Sequence, residues 1–314
     1  MSPMTSAEIT ADHSVHSTRA ALASVGIALA LLVAKAWAAY QTGSTAMLGS
    51  LADTALDLIA SLTTLVGVRI AAMPADLDHR FGHGKAEALV ALAQVVLITV
   101  SAIGIGWRAA DRLMNGAQTQ AMADGIAVSI LAIGLTFVLL WYQRRVIART
   151  GSVAIKTDNV HYKSDLMLNG SVIVALVLEQ ALHVTGADAL FGIGIALWLL
   201  WGAFRASREA VAQLMDREWP EDERQAFLRA ASTYPELHGL HDLRTRKSGT
   251  LRFVQFHVWV PADWTVQEAH DRLDAVEEEL QERFPGTEIL IHVDPEGQTD
   301  RETLLPQEIT EQSQ

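Results

Sequence analysis

The sequence predicts a membrane all-α bundle of six transmembrane helices followed by a small C-terminal α+β domain of order αββαβ. Three observations predict it. Half of the 314 residues are hydrophobic and only 19% are charged, below the roughly 25% usual for soluble chains. Aliphatic residues and alanines concentrate between about residues 20 and 206, whereas most of the acidic excess lies beyond. The apolar part also breaks into stretches of about 20 residues, the length a spanning helix needs.

The six stretches are 20–40, 46–70, 86–110, 121–142, 154–180 and 187–206. The second and fifth carry ionisable residues in their interiors. Connections are short, Gln41 to Ser44 after the first and Thr185-Gly186 before the sixth; the longest, Ala71 to Lys85, is rich in His and Asp. Basic residues near helix ends set orientation. Arg69, Arg80, Lys85, Arg144, Arg145, Arg149, Lys156, Arg205 and Arg208 fall on the side that holds both termini, against Arg108 and Arg112 on the other. Both termini are therefore expected in the cytoplasm. No cleavable signal pattern is evident, so the first helix is expected to stay in the membrane.

From about Met215 the pattern changes. Pro220-Glu-Asp-Glu-Arg opens a helix with acidic residues where they favour the helix dipole. Two alternating stretches follow, Gly239–Arg246 and Leu251–Val260, joined by the hairpin signal Lys247-Ser-Gly-Thr. Ala269–Phe284 reads as a second helix and Glu288–Val293 as a third strand, an α+β arrangement with helices on one face of a sheet. The expected organisation is an N-terminal tail 1–18, a transmembrane domain 19–210, a soluble domain 211–297 and a disordered tail 298–314.

The formal net charge of −12 argues against nucleic acid, which calls for a basic face. With no cysteine in the chain, a metal site has to be built from His, Asp and Glu. That bears on four residues. Asp53 and Asp57 are four apart in the second span and share a helix face; His161 and Asp165 repeat the spacing in the fifth. At 1.5 Å per residue, Asp57 lies about 16 Å below the outer start of its helix and His161 about 14 Å above the inner start of its own. The helices run in opposite directions, so the pairs meet near mid-membrane. An isolated carboxylate there costs about 3 kcal/mol. Pairing with Lys35, the only deep basic residue, would answer at most one of them. A proton relay is one alternative, and a four-coordinate Zn²⁺, which takes His N and Asp O at about 2.0–2.2 Å, answers them all. With the metal gone, protons would take its place.

At Ser50-Leu-Ala-Asp-Thr-Ala-Leu-Asp, Pro74-Ala-Asp-Leu-Asp-His-Arg-Phe-Gly-His-Gly-Lys-Ala-Glu, His161-Tyr-Lys-Ser-Asp, His241-Asp-Leu-Arg-Thr-Arg-Lys-Ser-Gly and Ile291-His-Val-Asp-Pro, the sequence resembles the cation diffusion facilitator family, closely its bacterial zinc and ferrous-iron efflux members. The resemblance covers about residues 15–295. It implies a homodimer in the bacterial cytoplasmic (inner) membrane that exports Zn²⁺, or Cd²⁺ or Fe²⁺, against an inward proton flow by alternating access. It also implies a metallochaperone-like cytoplasmic domain. The transport ligands fall on Asp53, Asp57, His161 and Asp165.

A second family site maps onto Asp76, His79 and His83 in the loop, where an Asp and two His supply three ligands; Asp78 is the lesser candidate. Lys85 resembles the charge that links the membrane part to the cytoplasmic domain, with Asp216 its expected partner. His241, His257, His270, His292 and Asp294 match a two-metal centre at the dimer interface, with the Asp bridging and Zn²⁺ structural. Val293 stands where some relatives have a polar residue. His13, His16, His183 and His238 match nothing and read as surface residues; the Trp residues at 198, 201, 219, 259 and 264 read as belt or core packing. A membrane sensor or metal store working through the cytoplasmic domain is the alternative, but it does not need the mid-membrane quartet. An intramembrane metalloenzyme would need a general base beside an open metal position, and HExxH is absent.

Overall fold

The computed structural model describes residues 6–42, 45–115, 126–182 and 187–297. The chain divides into two compact units, one spanning Ser14–Val211 and the other made of the residues from Ala212 on together with those up to His13. The tail expected over 298–314, His183 and the connection at Thr185-Gly186 lie outside the described residues.

Six long helices make up the first part: α1 (Ser6–Thr42), α2 (Thr45–Ala71), α3 (Ala86–Asn115), α4 (Ile126–Thr150), α5 (Val153–Leu182) and α6 (Ala187–Leu214). Five of them are long and apolar enough to cross a membrane. The exception is α5, whose first half carries Lys156, Asp158, Lys163 and Asp165; its 30 residues are nonetheless about 45 Å of helix, more than a span. Several helices outrun their expected spans. The tail expected up to residue 18 continues α1 as helix from Ser6, α4 runs on past residue 142 to Thr150, and α6 to Leu214. Hydropathy marks only the length that a bilayer would cover, and backbone hydrogen bonding carries the helix past it.

Burial in this unit is the reverse of a water-soluble bundle. Many inward positions are small or polar: Ala20, Ala21 and Ala28 on α1, Ala60, Ser61 and Thr64 on α2, Ala88, Ala91 and Gln94 on α3. Large apolar side chains such as Leu29, Val33, Trp37, Val96, Ile103 and Trp107 face outward. Small interior residues let helices approach closely where lipid, as apolar as leucine, gives no hydrophobic drive. Gly67 shows how close: a Cβ there would overlap the Val90 side chain of α3. Helix α5 packs against α2, α3 and α4, and its start is fixed from two sides. Gly151 takes a left-handed φ of 64° after α4. The Ile155 amide then donates to Ser152 Oγ at 3.3 Å, and the Val153 amide donates to the buried carboxylate of Glu87 on α3 at 3.1 Å. Helix-end N–H groups that would otherwise be unanswered are thus capped partly in trans.

The second unit follows the expected order. Helix α7 (Glu221–Ala231) and a 3-10 turn at Pro235–Leu237 precede β1 (His241–Ser248), β2 (Leu251–Val260), α8 (Val266–Arg283) and β3 (Thr287–Pro295). Strands β1 and β2 pair antiparallel, β2 and β3 parallel, in the order β1-β2-β3; a parallel pair needs a crossover, which α8 supplies. The core is aromatic and aliphatic, with Trp219, Phe227, Phe256, Val254, Val276 and Leu280 at its centre. Helix α8 begins three residues before the expected Ala269 because Thr265 and Glu268 form a reciprocal capping box. The Glu268 amide donates to Thr265 Oγ1 at 3.2 Å and the Thr265 amide to Glu268 Oε2 at 2.9 Å, which satisfies two end donors at once.

Replacing Thr265 by Ala removes that cap. The expected loss is ~1 kcal/mol, read as a fall of about 4–8 °C in the melting temperature of the second unit; an unchanged melting temperature would show that the cap does not set the start of α8.

Candidate metal centres

In the membrane unit, α2 and α5 bring Asp57, His161 and Asp165 together, with one ligand atom from each lying within 4.8 Å of the others. His161 Nε2 is 3.0 Å from Asp57 Oδ1 and 3.9 Å from Asp165 Oδ2. A tetrahedral Zn²⁺ with ligands at about 2.1 Å separates them by about 3.4 Å, and the two contacts of His161 fall on either side of that value. His161 is buried at 8% exposure. The cluster forms one wall of a cavity of about 360 Å³ that Asp53, Lys35, Thr136 and Asn169 also line. Asp53, expected as the fourth ligand, is exposed one turn toward the start of α2 and is not part of the close group. Lys35 directs its hydrogen bonds elsewhere: its ammonium donates to Thr54 Oγ1 at 2.6 Å and to the Ser50 carbonyl at 3.5 Å.

Sequence reasoning passed over what surrounds this group. Tyr162 is buried, its hydroxyl 2.7 Å from Ser61 Oγ and donating to the Ser24 carbonyl at 3.2 Å. Asp158, one turn from His161, is fully buried among Ser24, Thr64, Gln94 and Gln143. The signal available in the sequence was the number of polar residues on inward faces, Gln94 and Gln143 above all, since a lone polar residue in a span needs a partner.

In the loop between α2 and α3, Asp76, His79 and His83 form a second close group. Asp76 Oδ1 is 3.3 Å from His79 Nδ1 and Oδ2 is 3.3 Å from His83 Nε2. His83 Nδ1 lies 3.2 Å from the Pro74 carbonyl; donating there leaves Nε2 with its lone pair for a metal. The turn is held by the carboxylate, whose Oδ1 accepts the His79 amide at 2.6 Å and the Asp78 amide at 3.0 Å. Asp78 contributes that amide and not its side chain to the group. The His79 amide above all, helped by the Asp78 amide and the two imidazoles, holds the Asp76 carboxyl below its ordinary 3.8.

In the second unit the strand register does the assembling. His241 pairs with His257 and His257 with His292, so three imidazoles stand in a row across the sheet. Asp294, two residues beyond His292, shares its face. Asp294 Oδ2 is 2.9 Å from His257 Nδ1 and 3.3 Å from His241 Nε2, and its Oδ1 is 3.6 Å from His292 Nε2. A carboxylate reaching different imidazoles through its two oxygens has the disposition of a bridge between two ions. His241 Nδ1 is 2.8 Å from the Gly239 carbonyl, which makes Nδ1 the donor and leaves a lone pair on the buried Nε2, 3.3 Å from Asp294 Oδ2 and making no hydrogen bond. A bulge between His241 and Arg244, with Asp242 at a φ of 48°, sets the aim of His241. His257, His241 and Asp294 form the close group; His292 stands at its edge, and His270, on α8, is exposed outside it.

Asp216 has a φ of 52° and lies 3.8 Å from Arg246. Val293 is exposed. His238 is exposed, and His13 and His16 are half-buried on α1. Trp219 packs in the core, and Trp201 faces outward on α6.

The chain matches the family model of the cation efflux transmembrane domain over residues 21–215 and that of the cation efflux protein, cytoplasmic domain, over residues 219–296. It is 43% identical over 279 residues to the cation-efflux pump FieF of Cronobacter sakazakii, which covers 88% of this chain and 92% of that protein. It is 41% identical over 286 residues to FieF of Salmonella newport, covering 91% and 95%. Among solved structures it resembles CzrB in its Zn form at 38% identity, with a TM-score of 0.25 over 27% of this chain and 99% of that one.

The depressed carboxyl of Asp76 has a pH consequence with a definite sign. A group whose folded pKa lies below its unfolded value adds loop order above the unfolded value, and that order is lost as pH falls through the folded one. A carboxyl-resolved NMR titration should therefore place Asp76 below 3.8 in the folded chain, with the loop amides of Asp78 and His79 shifting in step; a midpoint at or above 3.8 would show that the two amide contacts are not made.

Proposed function

The chain belongs to the cation efflux family, and on that footing we propose that it exports a divalent metal cation, with Zn²⁺ as cargo, in exchange for protons by alternating access. It is a transporter and not an enzyme. The observation that carries the reading is the buried Asp57, His161 and Asp165 group beside a cavity within the helical unit. Two acids and one imidazole on facing helices leave at least one carboxylate charge in excess, and a divalent ion supplies its counter-charge. Asp53, on the cavity wall, is the proposed fourth ligand, reached by a change of rotamer or a small turn of α2.

Zn²⁺ is favoured by a donor set of oxygen and nitrogen, the ligand atoms it takes in four-coordinate sites. Fe²⁺ and Cd²⁺ accept the same atoms, and affinity order does not separate them. Proton exchange follows from charge: when the ion leaves, its carboxylates face a low dielectric with no counter-charge, and protons are the cations at hand. The names of the relatives, cation-efflux pumps, support the direction of transport. The basic residues gathered at one set of helix ends support an inner-membrane protein with both termini in the cytoplasm.

The loop group is proposed as a second metal site. Asp294, His241, His257 and His292 are proposed to hold structural Zn²⁺ at an interface between two copies of the chain, with His270 supplied where the copies meet. A sensing or storage role would use this cytoplasmic centre alone and would leave the membrane group without a purpose.

Two measurements test the reading. In proteoliposomes under a pH gradient, Asp57→Ala should lower Zn²⁺ uptake at least tenfold, and collapsing the gradient should stop uptake by the unaltered chain; a variant that transports at the full rate would remove the central assignment. Chelation should shift the full-length chain from dimer toward monomer in detergent, measured by light scattering. A dimer indifferent to chelation would count against a metal at the interface.

A further inference from the structure

Five helices meet at a carboxylate to which the transport reading gives no role. Asp158 of α5 is one turn from His161 and has no exposed surface. Its Oδ2 accepts from Ser24 Oγ on α1 at 2.8 Å and from Gln143 Nε2 on α4 at 2.8 Å. Its Oδ1 lies 3.3 Å from Gln94 Nε2 on α3 and 3.4 Å from Thr64 Oγ1 on α2. The donors are tied to one another as well: Gln143 Nε2 also donates to Ser24 Oγ at 3.0 Å, Gln143 Oε1 accepts from Asn159 at 2.9 Å, and Gln94 donates to Thr64. All of these hydrogen-bonding partners are neutral; the ionisable group whose charge reaches Asp158 is His161, one turn on.

The cage and the cavity lie on opposite sides of the metal group. On α1 the cavity takes Ala28, Leu31 and Lys35, while the cage takes Ser24. On α4 it takes Ala132 and Thr136, while the cage takes Gln143, nearer the end that carries Arg149. Beyond the cage, toward the basic ends of the helices, Ala21, Leu65, Val68, Val146 and Ile155 pack into an apolar plug. The path is thus open on one side of the metal group and shut on the other by a polar layer and an apolar one.

We propose that the Asp158 cage is the lock that keeps the transport path shut on the basic side, with Asp158 as the positioning residue that ties α5 to the other helices. The inference rests on the alternating-access reading above. Its physical basis is that a polar network in a dry interior is favourable when complete and costly when half-broken. When the basic side opens, water can take the place of every lost donor. Closed and flooded are then both satisfied states, while a partly open, leaking one is not.

The chain has no cysteine, so one introduced thiol reports without background. Ser17, 1% exposed, lies two turns from Ser24 on the same face of α1, and its hydroxyl has no hydrogen-bond partner, which makes Ser17→Cys a mild probe of the plug. In membranes, a maleimide applied from the basic side should label this thiol slowly. Adding Asp158→Ala should speed labelling about tenfold, because four buried donors lose their acceptor. Gln143→Ala should act in the same direction, and the double variant should exceed neither single one, since both break one lock. The Asp158 variant should also lose about tenfold in maximal transport rate with KM for Zn²⁺ within twofold.

Labelling that stays slow in both single variants, increases that add in the double variant, or a rise in KM with an unchanged maximal rate would each overturn the lock. Gln143→Ala keeps the test decisive if Asp158→Ala does not fold. Failure of the transport reading is separate: it would show as full transport by Asp57→Ala, which bears on the metal ligands and leaves the labelling result to stand by itself.

Discussion

His161 Nε2 meets Asp57 Oδ1 at 3.0 Å across two antiparallel helices, inside a bundle whose other inward positions are mostly alanine, serine and threonine. Charge in such a place has to be answered, and the surroundings can be traced to that demand. The helices stand close enough to exclude bulk, as at Gly67 against Val90. Helix α5, which carries both His161 and Asp165, has its start pinned by Ser152 and Glu87, so its ligands cannot drift along the axis. Tyr162 is tethered to α1 and α2 through Ser24 and Ser61, fixing the rotation of α5 next to His161.

The same demand is met in water by other means. In the second unit, three histidines reach one row because antiparallel and parallel pairing place positions 241, 257 and 292 opposite one another. Asp294 then comes to their face by strand alternation. Here the β-ladder, not a helix turn, sets the spacing of the imidazoles, and a bulge adjusts the outermost member. The loop group uses the cheapest device of the three, a carboxylate that accepts two amides and so shapes the turn that presents two imidazoles.

Much of this was legible in the sequence. The four-residue spacing of Asp53 and Asp57, and of His161 and Asp165, is a helix-face statement that holds wherever the helices lie, and the antiparallel run of adjacent spans brings the pairs to one depth. The hairpin at Lys247 to Thr250 and the helix ending before Pro285 were readable from local turn signals. What went unread was the Asp158 cage. Ser24, Thr64, Gln94, Gln143 and Asp158 come from five helices and share no local spacing; each alone is a polar residue of no evident purpose.

By itself, then, the sequence determined the class of the fold, the helix faces that carry ionisable groups and the restriction to oxygen and nitrogen ligands, because periodicity, hydropathy and the absence of cysteine are local or compositional facts. Only the tertiary structure decided which of the expected ligands converge. It grouped Asp57 with His161 and Asp165 but left Asp53 on the cavity wall, and grouped His241 and His257 with Asp294 but left His270 on an exposed helix face. Convergence depends on the rotation of each helix about its axis and on strand register, and these are set by packing between segments distant in the chain.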